Sequence, residues 1–183
     1  MIGVKYMKKV LLHVCCGVCA FYCIQRLTKE GYYVESFFYN PNIYPEEEYL
    51  KRRFAAKEVA TITKTKITEG PYVPQAWLKE CQDYKDAKEG GERCLICYRT
   101  RLIATQKEAR DKNFDFFTTT LTISPHKDNN IIAAIGQEVG GGAFLPVNFK
   151  KQDGFKKTLE LAKKYNLYRQ NYCGCIYSIA QSA

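Results

Sequence analysis

Two apolar runs near the start of the chain, "KKVLLHV" (Lys8 to Val14) and "YYVESFFYN" (Tyr32 to Asn40), flank a segment whose apolar positions recur at helical spacing. The runs read as buried strands and the segment, "GVCAFYCIQRLTKEG", as a helix closed by Gly31. After the turn "PNIYP", the stretch "EEEYLKRRFAAKEVATI" carries its acids first and its bases later, as a helix dipole prefers. A short strand "KTKIT" follows. Strand, helix, strand, helix, strand with short connections predicts an α/β fold: a parallel sheet in three layers, with helices on both faces. The second half is mostly helical, with "PQAWLKECQDYKDA", "CLICYRTRLIATQKEARDKN" and "GFKKTLELAKKYN" as its helices. "FDFFTTTLTIS" (Phe114 to Ser124) is its one strand. No repeat, low-complexity tract or long linker divides the chain, so residues 1–183 are expected to form a single α/β domain.

One segment imitates a secretory leader, because Lys8 and Lys9 precede an apolar run. His13 interrupts that run, and Val14 is too large to precede a lipoprotein cleavage site, so the strand reading is preferred. No stretch approaches the roughly 20 apolar residues that span a bilayer. The nine cysteines are an odd number for a closed set of disulfides, which points to a reducing cytoplasm and to metal or redox chemistry.

Charge narrows the partners. The 28 Lys and Arg against 19 Asp and Glu leave a net +9, enough to attract a polyanion. Nucleotide chemistry has no visible support: there is no P-loop, no G-x-G-x-x-G after a strand and no S-G-G-x-D-S. With only His13 and His126 available, acid catalysis falls to other residue types, and Asp86, Glu89 and Asp128 lie near the motifs described next.

The cysteines fall into groups. "HVCCGVC" sets Cys15 and Cys16 where a strand turns into a helix, and unpaired amides there favour thiolates. Adjacent cysteines point in different directions and need ligands from elsewhere. "GERCLICYRTRL" supplies a C-x-x-C, Cys94 and Cys97, at a helix start. The two pairs sum to four thiolates, enough for a four-iron cluster or a tetrahedral zinc. "YCGCI" holds Cys173 and Cys175 about one glycine, where oxidation closes a small, easily reduced ring, and the pair could instead complete a metal site. Cys23 and Cys81 stand alone and read as core residues. Arg93, Arg99 and Arg101 near one group, and Arg169 and Tyr172 beside another, are candidates to grip phosphate and stack an unpaired RNA base. A zinc-containing RNA-binding protein and a thiol-disulfide oxidoreductase both remain compatible with this inventory.

Five ordered motifs, "LLHVCCGVC", "FYNPNIYPEEEYLKR", "GGERCLICYRTRL", "TTTLTISPHKD" and "YRQNYCGCIYS", resemble the QueH-type epoxyqueuosine reductases over nearly the whole chain. The resemblance implies a HUP-like fold, similar to the adenine-nucleotide α-hydrolases. It also implies cobalamin-independent reduction of epoxyqueuosine to queuosine in a tRNA anticodon stem-loop. By position it makes Cys15, Cys16, Cys94 and Cys97 ligands of a 4Fe-4S cluster, with Cys19, which also fits the first motif, able to displace one of them and an additional iron as a further candidate. Cys173 and Cys175 become the redox-active pair, served by an external electron donor. That role predicts an ordered tail, with the pair close to Cys15 and Cys97.

Overall fold

The computed structural model describes residues 7–179. Its strands are β1 (Lys9–Val14), β2 (Tyr33–Phe38), β3 (Ile67–Glu69) and β4 (Phe116–Thr119), all parallel, in the order β3-β2-β1-β4. The helices are α1 (Gly17–Lys29), α2 (Glu46–Thr63), α3 (Pro74–Cys81), α4 (Glu92–Asp111), α5 (Asn129–Gly140), α6 (Gly154–Lys164) and α7 (Ile176–Ile179).

Side chains alternate across a strand, so β1, an inner strand paired with β2 and β4, feeds two cores at once. Val10, Leu12 and Val14 pack with Phe21 of α1, Val59 of α2 and Ala162 of α6. Leu11 packs on the other face with Phe117 of β4, Leu102 of α4 and Ile132 of α5. The three-layer arrangement expected from the sequence follows from this alternation. Among the described residues, no helix is long and apolar enough to cross a membrane.

Local chemistry sets the element ends. α1 closes as expected at Gly31, whose φ of +91° suits a residue without a Cβ. The Tyr32 amide then donates to the Leu27 carbonyl and the Gly31 amide to the Thr28 carbonyl, satisfying the last turn.

The helix read over Pro74 to Ala87 stops at Cys81, with a 3-10 turn at Gln82–Tyr84 after it, and two further expectations change. The strand read over Phe114 to Ser124 ends at Thr119, because the Thr119 hydroxyl accepts the Leu121 amide and turns Thr120–Ile123 into a 3-10 helix. A run of threonines looks like a strand, but its hydroxyls also compete for backbone amides. The second change is α5, a helix the sequence reading left out. Asp128 caps it, its Oδ1 accepting the amides of Asn130 (2.7 Å) and Ile131 (3.4 Å).

Candidate active site: a thiol-lined cavity at the carboxyl edge

The chain runs outward from β1 to β2 and β3, then crosses back to place β4 on the other side of β1. Ligands in open parallel sheets gather at such a reversal, beyond the carboxyl ends. A cavity of about 560 Å³ opens there, and six cysteines line it: Cys15, Cys19, Cys94, Cys97, Cys173 and Cys175. They come from three segments far apart in sequence. All nine cysteines are free thiols in the structure.

Cys15, Cys16 and Cys19 form the tightest group, their sulfurs all within 4.8 Å of one another. Cys16 is the cap of α1, its Sγ accepting the Cys19 amide at 3.4 Å. Helix geometry returns Cys19 to the same side one turn later. The three thiols do not ionise alike. Hydrogen bonds from Cys16 and Cys19 hold Cys15 well below the ordinary thiol range. The same coupling pushes Cys16 up to about 12 and Cys19 well above its usual value, with burial adding to both. Cys15 is thus the readiest of the three to give up its proton to a metal.

Cys94 and Cys97 stand on α4 in the cavity wall, and among the described residues they do not join that tight group. The Gly90 amide donates to Cys94 Sγ at 3.2 Å. Burial pushes Cys97 up to about 12, opposed by Arg101, whose Nη2 donates to Cys97 Sγ at 3.1 Å and whose Nε donates to the Cys97 carbonyl at 2.9 Å. Arg101 is thus buried against sulfur. Arg93 is also buried and donates to the carbonyls of Tyr84, Lys85 and Ala87, which shapes the loop leading into α4. Arg99 lies outside the cavity, in an ion pair with Glu138 on the surface.

The tail folds back over the edge of the sheet. Cys175 bridges Ile43, the Tyr44 amide donates to the Gly174 carbonyl at 2.8 Å, and the Tyr172 hydroxyl donates to the Tyr44 carbonyl. Cys175 packs with Cys97, Cys81 and Trp77 in a small buried cluster, and burial raises its pKa. Arg169 and Tyr172 line the same cavity. Cys23 and Cys81 are fully buried, as the sequence reading held.

Of the three acids, Glu89 lines the cavity, Asp86 is exposed and Asp128 is committed to the α5 cap. His13 is sealed in the core. Its Nε2 donates to the Tyr39 carbonyl at 3.0 Å, so Nδ1 accepts the Thr119 hydroxyl at 2.9 Å. Burial, helped by the charge of Arg101, lowers its pKa to about 4 and keeps it neutral.

Three neighbours of the sulfurs were not singled out from the sequence. The Gln170 amide donates to Cys16 Sγ at 3.0 Å, the Thr120 hydroxyl donates to Cys15 Sγ at 3.3 Å, and Arg52 reaches the tail from α2. Only long-range folding brings them near, although all three sit inside the quoted motifs.

A parallel sheet of this order, covered by helices on both faces and with a cysteine-lined cavity beyond its carboxyl ends, defines a doubly wound α/β protein. Solved structures share that fold: a protein described as a predicted subunit of a tRNA methyltransferase from Methanocaldococcus jannaschii has a TM-score of 0.59 at 14% identity, over 86% of this chain and 75% of that one. U34-tRNA thiolase NcsA from Methanococcus maripaludis, solved with its [4Fe-4S] cluster, gives 0.58 at 13% identity, over 95% of this chain and 62% of that one. The family model described as epoxyqueuosine reductase QueH matches residues 10–181, and the chain belongs to that family. Relatives bearing that name include one from Thermotoga maritima, 38% identical over 181 residues (96% of this chain, 92% of the relative). Another, from Streptococcus pyogenes, is 35% identical over 178 residues (92% of this chain, 69% of the relative).

Proposed function

We propose that this chain is an epoxyqueuosine reductase acting on tRNA, with an iron–sulfur centre and a dithiol meeting in the cavity. The observation that carries the reading is the treatment of the sulfurs. Cys15, Cys16, Cys94 and Cys97 each accept a hydrogen bond from an N–H or O–H donor, the arrangement that steadies thiolate ligands and tunes a cluster's potential. The donor set fits an iron–sulfur group: Cys15, Cys94 and Cys97 line one cavity from two walls, and the Cys16 sulfur lies behind Cys15, within 4.8 Å of it. Cys19 is at hand to replace one of them or to serve an additional iron. When bound, a 4Fe-4S cluster would supply one-electron transfer and, at an iron with an open position, Lewis acidity toward the epoxide oxygen.

The protein's own groups balance the remaining chemistry. Removing the epoxide oxygen restores an alkene and takes two electrons and two protons, with water as the product. Closing Cys173 and Cys175 to a disulfide releases two electrons and two protons, so epoxide plus dithiol gives alkene, water and disulfide. An external donor then returns the pair to the dithiol. Glu89, an acid in the cavity lining, would hand a proton to the leaving oxygen. Arg169 and Tyr172, which line the cavity, would hold a phosphate and an unpaired base, while Arg93 and Arg101 shape the wall through backbone carbonyls and sulfur. Free thiols throughout suit a cytoplasmic setting.

The test begins with protein purified without oxygen and assayed for iron and acid-labile sulfide. Both are expected; one zinc per chain with no sulfide would remove the mechanism and favour a zinc RNA-binding protein. The same protein, given tRNA carrying epoxyqueuosine and a strong reductant, should yield queuosine by nucleoside mass analysis, whereas a simple thiol exchanger leaves the base untouched. Cys173→Ser and Cys175→Ser should abolish turnover with the cluster retained.

A further inference from the structure

Arg52 has no role in the chemistry above, yet its surroundings are unusually complete. It lies inside α2 with its side chain 3% exposed, where an unpaired guanidinium would be costly. Nε donates to Glu48 Oε1 at 2.7 Å, Nη1 donates to the Cys173 carbonyl at 3.0 Å and Nη2 donates to the Tyr172 carbonyl at 3.0 Å. The other oxygen of Glu48 accepts the Tyr168 hydroxyl. The Tyr172 ring lies 5.3 Å from the guanidinium carbon.

A single bond would suffice to tether a tail. Two parallel bonds from one rigid fork to consecutive carbonyls fix angle as well as distance. The next residue accommodates the fork: Gly174 has a φ of +101°, and a Cβ there would come within 2.9 Å of Arg52 Nη1. The charge of Arg52 also bears on Cys15 and Cys16, so one side chain addresses both the thiol group on α1 and the pair on the tail.

We propose that Arg52, oriented by Glu48 and Tyr168, is a positioning residue for the Cys173 and Cys175 pair, holding the dithiol in its working geometry at the cavity wall. The proposal rests on the reading of that pair as redox-active. The hydrogen bonds are made to the carbonyls of Cys173 and its neighbour Tyr172 while the thiols are free, and a ring closed across Gly174 would have to form without disturbing them. The clamp therefore stabilises the dithiol relative to the disulfide.

The experiment uses the metal-loaded enzyme, equilibrated without oxygen in buffers of reduced and oxidised dithiothreitol, then alkylated and digested with trypsin. Cleavage after Arg169 yields the peptide Gln170 to Ala183, which contains Cys173, Cys175 and no other cysteine. Arg52→Met is expected to shift the equilibrium about tenfold toward the disulfide, which is about 30 mV for a two-electron couple. Its kcat is expected to fall about tenfold or more while KM for tRNA holds, since displacing a reacting group acts on chemistry rather than binding. Arg52→Lys keeps the charge without the fork and should lie in between. Tyr168→Phe, which leaves the guanidinium in place, should shift the equilibrium two- to threefold the same way. Folded Arg52→Met that titrates within twofold of the parent with kcat unchanged overturns the clamp and leaves the redox reading intact. If Arg52→Met does not fold, an unshifted Tyr168→Phe and Arg52→Lys overturn it equally. If the parent peptide never oxidises and Cys173→Ser still turns over, the redox reading fails and takes the clamp with it.

Discussion

The Thr120 hydroxyl donates to Cys15 Sγ at 3.3 Å while the Cys15 amide donates back to the same oxygen at 3.2 Å. This reciprocal pair ties the end of β1 to the end of β4 and orients the sulfur that ionises first. Groups that orient a ligand typically contribute about 10- to 100-fold to metal affinity. Thr120→Val, of nearly the same shape but without the hydroxyl, is expected to lose iron to a chelator about tenfold faster under anaerobic conditions. Thr120→Ser should behave like the parent. Equal rates for Val and parent would show that the bond has no part in holding metal.

Asp128 should matter for stability and not for chemistry. Losing a side-chain cap costs about 1 kcal/mol, so Asp128→Ala is expected to lower the urea midpoint by that equivalent and to leave turnover unchanged. A stable Asp128→Ala protein with no turnover would return this carboxylate to the list of proton donors.

Gly174 and Arg52 should be coupled. A Cβ at Gly174 meets the guanidinium and sits at a positive φ, a strain of about 1–3 kcal/mol. Gly174→Ala should lower kcat/KM steeply in the parent and less in an Arg52→Ala background, with a coupling of about 0.5–3 kcal/mol. Additive losses would mean that the glycine serves the backbone alone.

Arg169 is expected to act through charge. For Arg169→Ala, tRNA binding should weaken, and the slope of log affinity against log salt should flatten by about 0.7–0.9, the loss of one phosphate contact. An unchanged slope would place the residue outside the RNA path.

How far the sequence reaches depends on the range of the physics. β1, α1, β2 and α2 are visible because apolar period, helix charge order and Gly31 act within a few residues. The clustering of cysteines at the end of β1 is visible for the same reason. α5 is obscured by two asparagines at its start and three glycines at its end, which read as loop. The turn after Thr119 is hidden because one hydroxyl, rather than a pattern, decides it. The clamp joins Arg52 to carbonyls 120 and 121 residues away, and no local signal marks such a bond. Cys19 was in view as a spare ligand, but its sulfur's place beside Cys15 and Cys16 follows from a cap that is itself a cysteine.

The strand order carries one more consequence. Because β1 lies between β2 and β4, Cys15 faces a cavity walled largely by later segments, among them the 3-10 turn after β4, α4, α6 and the tail. The enclosed cavity is therefore a property of the assembled fold and of no fragment. Cut between α2 and α4, the chain leaves thiols on both pieces and an enclosed site on neither, so metal loading and tertiary folding should stand or fall together.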